Sequence, residues 1–313
     1  VYFDEFLTFK TNAKFLSAAA NRALGSVIAK YKMNKHMSFN TYQKLIDNCV
    51  MPIVDYGSHI FGYHEWTEIE RVQIKAARVY LGVHKFAATS AVIGDVGWVS
   101  SYTRHKVNHL RYFNKLMSMP SNRIPKKILL EQISNNEGWM VVCRQILTQC
   151  EHEDLTKPCS IDRCSVLLKS IDEKLWKDEV LSKPKLRLYV QIKKRKCTEN
   201  YVTMNLTPSE RSFIAQLRFG ILPLAIETGR FSRTPVANRI CPLCSSCTED
   251  EVHFLFLCPM FASLRECFFK NFHCAHLNYV EMLDFFCTDS PRKLAKFVSK
   301  CFELRKNVIY VTN

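Results

Sequence analysis

The chain has 313 residues, room for one large core or two or three smaller ones, and its 47% hydrophobic and 23% charged content is globular, which excludes a disordered tail. Forty-four Lys and Arg against 29 Asp and Glu give a formal net charge of +15, favouring polyanionic partners, nucleic acid ahead of anionic membrane. No apolar run approaches the roughly 18 residues of a membrane span and no leader opens the chain, which starts at Val1 rather than Met and is expected to be a piece of something longer.

Residues 1–9 (VYFDEFLTF) read as the end strand or turn of a preceding domain. From 11 to 31 the apolar residues Phe15, Leu16, Ala19, Ala23, Leu24, Val27 and Ile28 recur at helical spacing, with Thr11 or Asn12 as cap. A second helical stripe, Leu45, Ile46, Cys49 and Ile53, follows Asn40, and Pro52 marks a kink or stop. A third spans 65–81 with Ile69, Val72, Ala76, Val79 and Tyr80 inward. Gly94, Gly97 and Trp98 signal a turn, and a further helix spans 102–117. Two prolines between Met119 and Pro125 mark a hinge, and two or three helices occupy 134–182. After Pro184, KLRLYVQIKKRK reads as a strand or a helix end. The next helix has the clearest start: Thr207 as N-cap, Pro208 in the first turn, Glu210 completing a capping box, and Gly220 as the terminating glycine. Helices from Pro259 to 269 and over 291–306 complete a mainly α fold.

Fourteen cysteines in so aliphatic a chain do not read as a disulfide framework. Cys49, Cys143 and Cys287 sit in apolar periods, as reduced cysteines used as small buried groups do, and this points to an intracellular protein, cytoplasmic and nuclear. Cys241, Cys244, His253 and Cys258 are different. Their C-x2-C-x8-H-x4-C spacing supplies four soft or borderline ligands for a closed tetrahedral zinc site, with no position left for water. Such a site is structural. Cys247 lies within the loop as a competing thiol, and Glu249, Asp250 and Glu251 read either as a support for His253 or, preferentially, as a solvated turn.

The positive charge is clustered. No Asp or Glu occurs from Val96 to Leu130, where Arg104, Arg111 and Lys115 share one helix face opposite Leu110, Phe113 and Leu116, a layout suited to a phosphate backbone. A second block contains Lys193, Lys194 and Arg195, and a third Arg211, Arg218, Arg230, Arg233 and Arg239. Each block has a plainer reading as a solvated face. No paired aspartates stand ready for two-metal chemistry, and no GxSxG or phosphate-loop motif is present. Asp55 and Asp95 stand alone and read as structural.

The string IETGRFSRTPVANRICPLCSSCTEDEVHFLFLCPMFASLR resembles the C-terminal zinc-knuckle region of non-LTR (LINE-type, jockey-like) retrotransposon reverse transcriptases, most specifically over 227–265. ANRALGSVIAKYK, FNTYQKLIDNCVMPIVDYGSHIFG and the helix ending AARVYLGVHKFA are similar to the segment after the palm, and YVTMNLTPSERSFIAQLRFG to the helix before the knuckle. The resemblance implies a residual palm end at 1–10, a helical thumb-like bundle at 11–120 and a helical connector with a basic segment at 121–205. A C-terminal domain at 206–275 would hold the CCHC zinc knuckle (241–258), followed by a helical tail at 276–313. It implies an RNA-directed DNA polymerase as parent, with the catalytic palm and the endonuclease upstream, so this part would be inactive alone. Its role would be to grip RNA or DNA, template–primer or element RNA, during target-primed reverse transcription. The rival expectation is a stand-alone helical zinc-knuckle adaptor for protein partners.

Overall fold

The computed structural model describes residues 1–34, 37–269 and 278–311, with side chains to 307. Residues 1–9 form no strand. Helix α1 (Lys10–Met33) buries Ala13, Ala20, Leu24 and Val27, but Phe15, expected on that stripe, is 51% exposed and stacks on Tyr2 instead. Helix α2 (Phe39–Leu45) runs through a π turn (Ile46–Val50) into α3 (Met51–Asp55). Pro52 explains that widening: it has no N–H for the carbonyl four residues back, and Met51 N–H bonds to Ile46 O, five residues back. Cys49 is exposed, so it does not serve as the buried apolar group its surroundings suggest.

Helices α4 (Ser58–Phe61), α5 (Thr67–Leu81), α6 (Thr89–Val96) and α7 (Ser101–Met117) follow. Gly94 lies inside α6 rather than in a turn. Gly97 closes the helix at φ +70°, where a Cβ would stand 2.4 Å from Thr198 N. Ser100 caps α7, its hydroxyl accepting from Thr103 N at 3.2 Å. Helix α8 (Ile124–Asn135) begins where the hinge was expected, and α9 (Trp139–Gln149) and α10 (Ile161–Leu181) come next.

The stretch after Pro184 is helical, a 3-10 turn (Pro184–Leu186) leading into α11 (Arg187–Ile192). Then come α12 (Asn200–Thr203), α13 (Pro208–Arg218), α14 (Ala225–Phe231), α15 (Ala262–Phe269), α16 (Tyr279–Asp289) and α17 (Pro291–Val311). The Thr207–Glu210 capping box is present at α13, and Gly220 follows at φ +62°. Among the described residues there is no strand, only an isolated antiparallel bridge between Ile240 and Thr248, so the fold is mainly α as expected.

The chain folds as two compact units, each assembled from three stretches: 1–33, 41–76 and 98–178, and 34–40, 77–97 and 179–313. The expected consecutive segments 11–120, 121–205 and 206–275 therefore do not coincide with the packing. Residues 77–97 belong with the C-terminal part, because Asp95 of α6 is tied to Tyr189, Tyr201 and Arg218. The expected boundary after 275 lies outside the described residues.

In the first unit, Val107, Leu110, Phe113 and Leu116 of α7 pack with Leu129 of α8, Met140, Cys143, Ile146 and Leu147 of α9, and Cys164 and Leu168 of α10. Each such side chain contributes about 1.5–3 kcal/mol on burial, so this row fixes which face of α7 turns outward. In the second unit α13 and α15 pack against α17, and α11 against α16.

Candidate metal centre and basic surfaces

The local fold of residues 239–258 follows from a few backbone bonds. Cys241 N–H bonds to Cys247 O at 2.9 Å, Ser245 N–H to Cys241 O at 2.9 Å, and Glu249 N–H to Arg239 O at 2.9 Å. Ser245 takes φ +51°, which turns the chain tightly after Cys244. Asp250 Oδ1 accepts from His253 N at 2.7 Å and opens the short π turn His253–Leu257, whose end returns Cys258 with its N–H on His253 O at 2.7 Å. Phe254, Leu255 and Phe261 are buried beneath it.

These bonds bring Cys241, Cys244, His253 and Cys258 together, with all four ligand atoms within 4.8 Å of one another. Tetrahedral coordination with metal–sulfur bonds of about 2.3 Å has edges of roughly 3.8 Å, so modest contraction closes the set. His253 Nε2 lies 3.4 Å from Cys244 Sγ and faces the cluster. Its Nδ1 lies 3.0 Å from Cys247 Sγ, so Cys247 meets the other side of the ring and does not compete for the cluster.

Burial pushes the Cys241 thiol up to about 12 and also raises Cys258. Burial opposes ionisation of Cys244 too, but hydrogen bonds from the Ser246 hydroxyl and backbone bring it below the ordinary thiol value. Burial lowers His253, more than nearby Glu249 and Asp250 raise it, which favours the neutral imidazole that a metal ligand must be. Three thiols and an imidazole converging on one point, with the nearby Arg265 guanidinium donating to Cys258 O at 2.6 Å, fit a metal ion, whose charge would stabilise the thiolates. With all four donors on one tetrahedral ion no position would be left for substrate, an arrangement suited to holding this turn together.

The acidic run is not a solvated turn, contrary to the preferred reading. Glu249 and Glu251 are buried. Glu249 accepts from Ala225 N at the start of α14 at 2.6 Å and pairs with Arg305 of α17, while Glu251 pairs with Arg187 of α11 at 2.5 Å. Burial raises Glu251, against the pull of Arg187. These carboxylates anchor the knuckle to the helices around it.

The eleven basic residues part into two groups. Lys193 is buried, with Nζ on Glu199 and 2.6 Å from Cys197 O. Arg211 is buried with Nε on Tyr80 O at 2.8 Å and its guanidinium 3.9 Å from the Tyr80 ring centre. Arg218 is buried on Asp95 at 2.8 Å and Glu199 at 3.3 Å. Arg239 spends Nε on Thr234 O at 2.9 Å and Nη1 on Ile226 O at 2.7 Å. Arg104 is half-buried between Asp55, 3.3 Å from Nε, and Gln73 Oε1, 2.5 Å from Nη1. These five are internal ties and offer little to an outside phosphate.

Arg111, Lys115, Lys194, Arg195, Arg230 and Arg233 remain exposed, although Arg230 pairs with Glu227 at 3.1 Å. Lys115 and Arg111 have no carboxylate partner among the described residues, and Arg111 Nη1 donates to Asn108 Oδ1 at 3.1 Å.

Two features escaped sequence reasoning. Asp95 is fully buried and accepts from Arg218, Tyr189 (3.0 Å) and Tyr201 (2.7 Å), a set no local motif announces. Lys169 of α10 shares a cavity wall with Arg104 and Arg111 of α7, with no signal in the sequence for that meeting. Among the described residues no helix is long and apolar enough to cross a membrane. Comparison with protein-family models, curated proteins and solved structures finds no match.

Proposed function

We propose that this chain is a nucleic-acid-binding part of a retrotransposon RNA-directed DNA polymerase, with one structural zinc ion at Cys241, Cys244, His253 and Cys258. What supports zinc is the donor set: three sulfurs and one nitrogen, closed, tetrahedral in count, with no redox demand and no open position. What supports nucleic acid is the exposed, carboxylate-free Arg111 and Lys115 on the side of α7 opposite buried Leu110, Phe113 and Leu116. The observation that carries the reading is the convergence of the four metal donors within the string that resembles the retrotransposon knuckle.

The proposed partners are RNA or DNA, gripped through the backbone, in an intracellular setting. Polymerase chemistry would belong to an upstream palm. Affinity for a duplex measured across ionic strength tests this: a steep log–log loss supports it, and a flat one overturns it. The second reading, an adaptor for protein partners, draws on Ile124 and Ile128, which stand exposed on α8. A salt-insensitive complex with a protein partner, and no nucleic-acid affinity, would select that reading.

A further inference from the structure

The first unit contains a cavity of about 320 Å³ between α7 and α10, separate from the metal cluster, whose wall carries Arg104, Arg111, Lys169, Asn108, Ser165 and Asp55. Its size is at the small end of the roughly 300–1,000 Å³ of ligand sites, so it suits a compact group. Three cations face one carboxylate, a local excess of two positive charges. That carboxylate is already spent: Asp55 Oδ2 is 3.3 Å from Arg104 Nε, and Oδ1 is 3.1 Å from His105 Nε2 and 3.4 Å from Arg104 Nη2.

Arg111 and Lys169 are left uncompensated. Asn108 holds Arg111 in place, donating Nδ2–H to Ser58 Oγ at 2.9 Å while its Oδ1 accepts from Arg111 Nη1, so Nε and Nη2 of the guanidinium stay available. The side chains of Lys169 and Ser165 have no hydrogen bond or ion pair among the described residues. They sit one turn apart on α10, presenting an ammonium and a hydroxyl to the same cavity that the Arg111 fork enters. A planar fork, a point charge and a hydroxyl donor together match the several oxygens and double charge of a tetrahedral anion better than a single carboxylate.

We infer that this cavity binds a phosphoryl group, held by Arg111, Lys169 and Ser165 with Asn108 as the positioning residue. The group comes either from a free phosphate or phosphate monoester, or from a nucleic-acid backbone. The inference stands independently of the metal site, and only its second source touches the nucleic-acid reading.

The test is thermal unfolding of the full chain in sodium phosphate, with sodium acetate and sodium chloride at matched ionic strength. A saturable rise in Tm in phosphate alone is expected. In the Arg111→Gln/Lys169→Gln double variant the apparent phosphate affinity should fall about 100-fold, roughly tenfold for each charge-assisted hydrogen bond removed. Ser165→Ala should weaken it less. Lys30→Gln/Lys32→Gln, which removes the same charge from exposed positions at the end of α1, should leave the response intact. An equal Tm rise in acetate or chloride, a response kept by the Arg111/Lys169 variant, or one lost equally in the Lys30/Lys32 variant would overturn the inference. Displacement of phosphate by an unphosphorylated oligonucleotide identifies the backbone as source, and displacement only by a 5′-phosphorylated one identifies a terminal group; both uphold the site. A full phosphate response in a protein with no oligonucleotide affinity would sink the nucleic-acid reading and leave the cavity site standing.

Discussion

Arg218 clasps Asp95 within the second unit, with Nε 2.8 Å from Oδ2 and Nη2 3.1 Å from Oδ1, the two side chains 1% and 0% exposed. Tyr189 and Tyr201 donate to the same carboxylate, and Glu199 reaches Arg218 at 3.3 Å and also meets Lys193. Four hydrogen bonds saturate Asp95, which offsets the desolvation of a buried charge. Arg218→Met should cost about 3–5 kcal/mol, because it strands a buried carboxylate. Asp95→Leu should cost a similar amount, and the double change less than the sum. Urea unfolding of the four proteins checks this; strictly additive losses would mean that the pair is not coupled.

That pair also shows what the sequence conceals. Its residues lie more than a hundred positions apart, and Arg218 falls on a helical stripe with Arg211 that looks the same whether it faces water or a carboxylate. Local signals were legible: the Thr207 cap, the Gly220 stop, and the buried row of α7 each depend on residues within a few turns. The metal donors were legible too, because two of them share one C-x-x-C turn and the rest return within a short loop. The acidic run misled, since three successive acids read as solvated, and only tertiary folding brings Arg187 and Arg305 to them. Grouping residues 77–97 with the C-terminal part needed the same long-range information.

His109 gives the fold a dependence on acid. It is buried, stacks on Trp139 with ring centres 5.7 Å apart, and its Nδ1 lies 3.2 Å from His105 O, while Nε2 has no partner. Burial lowers its pKa to about 4, with His105 O opposing. Because the folded value lies below the ordinary one of about 6.5, the unfolded chain binds the extra proton between these values. Stability from this group is therefore complete above pH 6.5 and is lost as pH falls toward 4, by about 3 kcal/mol in all. In His109→Gln the slope of unfolding free energy between pH 6.5 and 4 should drop by up to one proton. An unchanged slope would show that His109 is charged without penalty in the fold.

At the metal cluster Cys258 and Cys247 should part company. Cys258→Ser should abolish binding of one zinc per chain and melt the turn over 241–265, since ligation supplies much of the folding free energy of so small a unit. Cys247→Ser should keep one zinc per chain. Its sulfur meets Nδ1 of His253, so the loss is of ring orientation, worth about 10–100-fold in affinity. Metal analysis and competition with a chromophoric chelator separate these outcomes. Loss of zinc stoichiometry in Cys247→Ser alone would place Cys247 in the coordination sphere and displace one of the four.

On α7, Arg104 and the pair Arg111 and Lys115 should behave as different kinds of residue although all three share a stripe. Arg104→Ala removes one of the two partners of Asp55, leaving His105, and strands Gln73 Oε1, so it should destabilise the first unit by about 1–3 kcal/mol, the cost of unpairing partly buried polar groups. Arg111→Ala/Lys115→Ala should leave stability within about 0.5 kcal/mol, since both side chains are exposed and Ala favours helix. The same double variant should bind duplexes of unrelated sequence more weakly by a common factor. Its log–log salt slope should be flatter by about 2, roughly 0.9 for each phosphate no longer neutralised. Fluorescence anisotropy across a salt series reads both quantities. A slope equal to that of the unmodified chain would remove Arg111 and Lys115 from the grip and turn attention to exposed cations such as Lys194, Arg195 and Arg233, because Arg211 and Arg218 are enclosed.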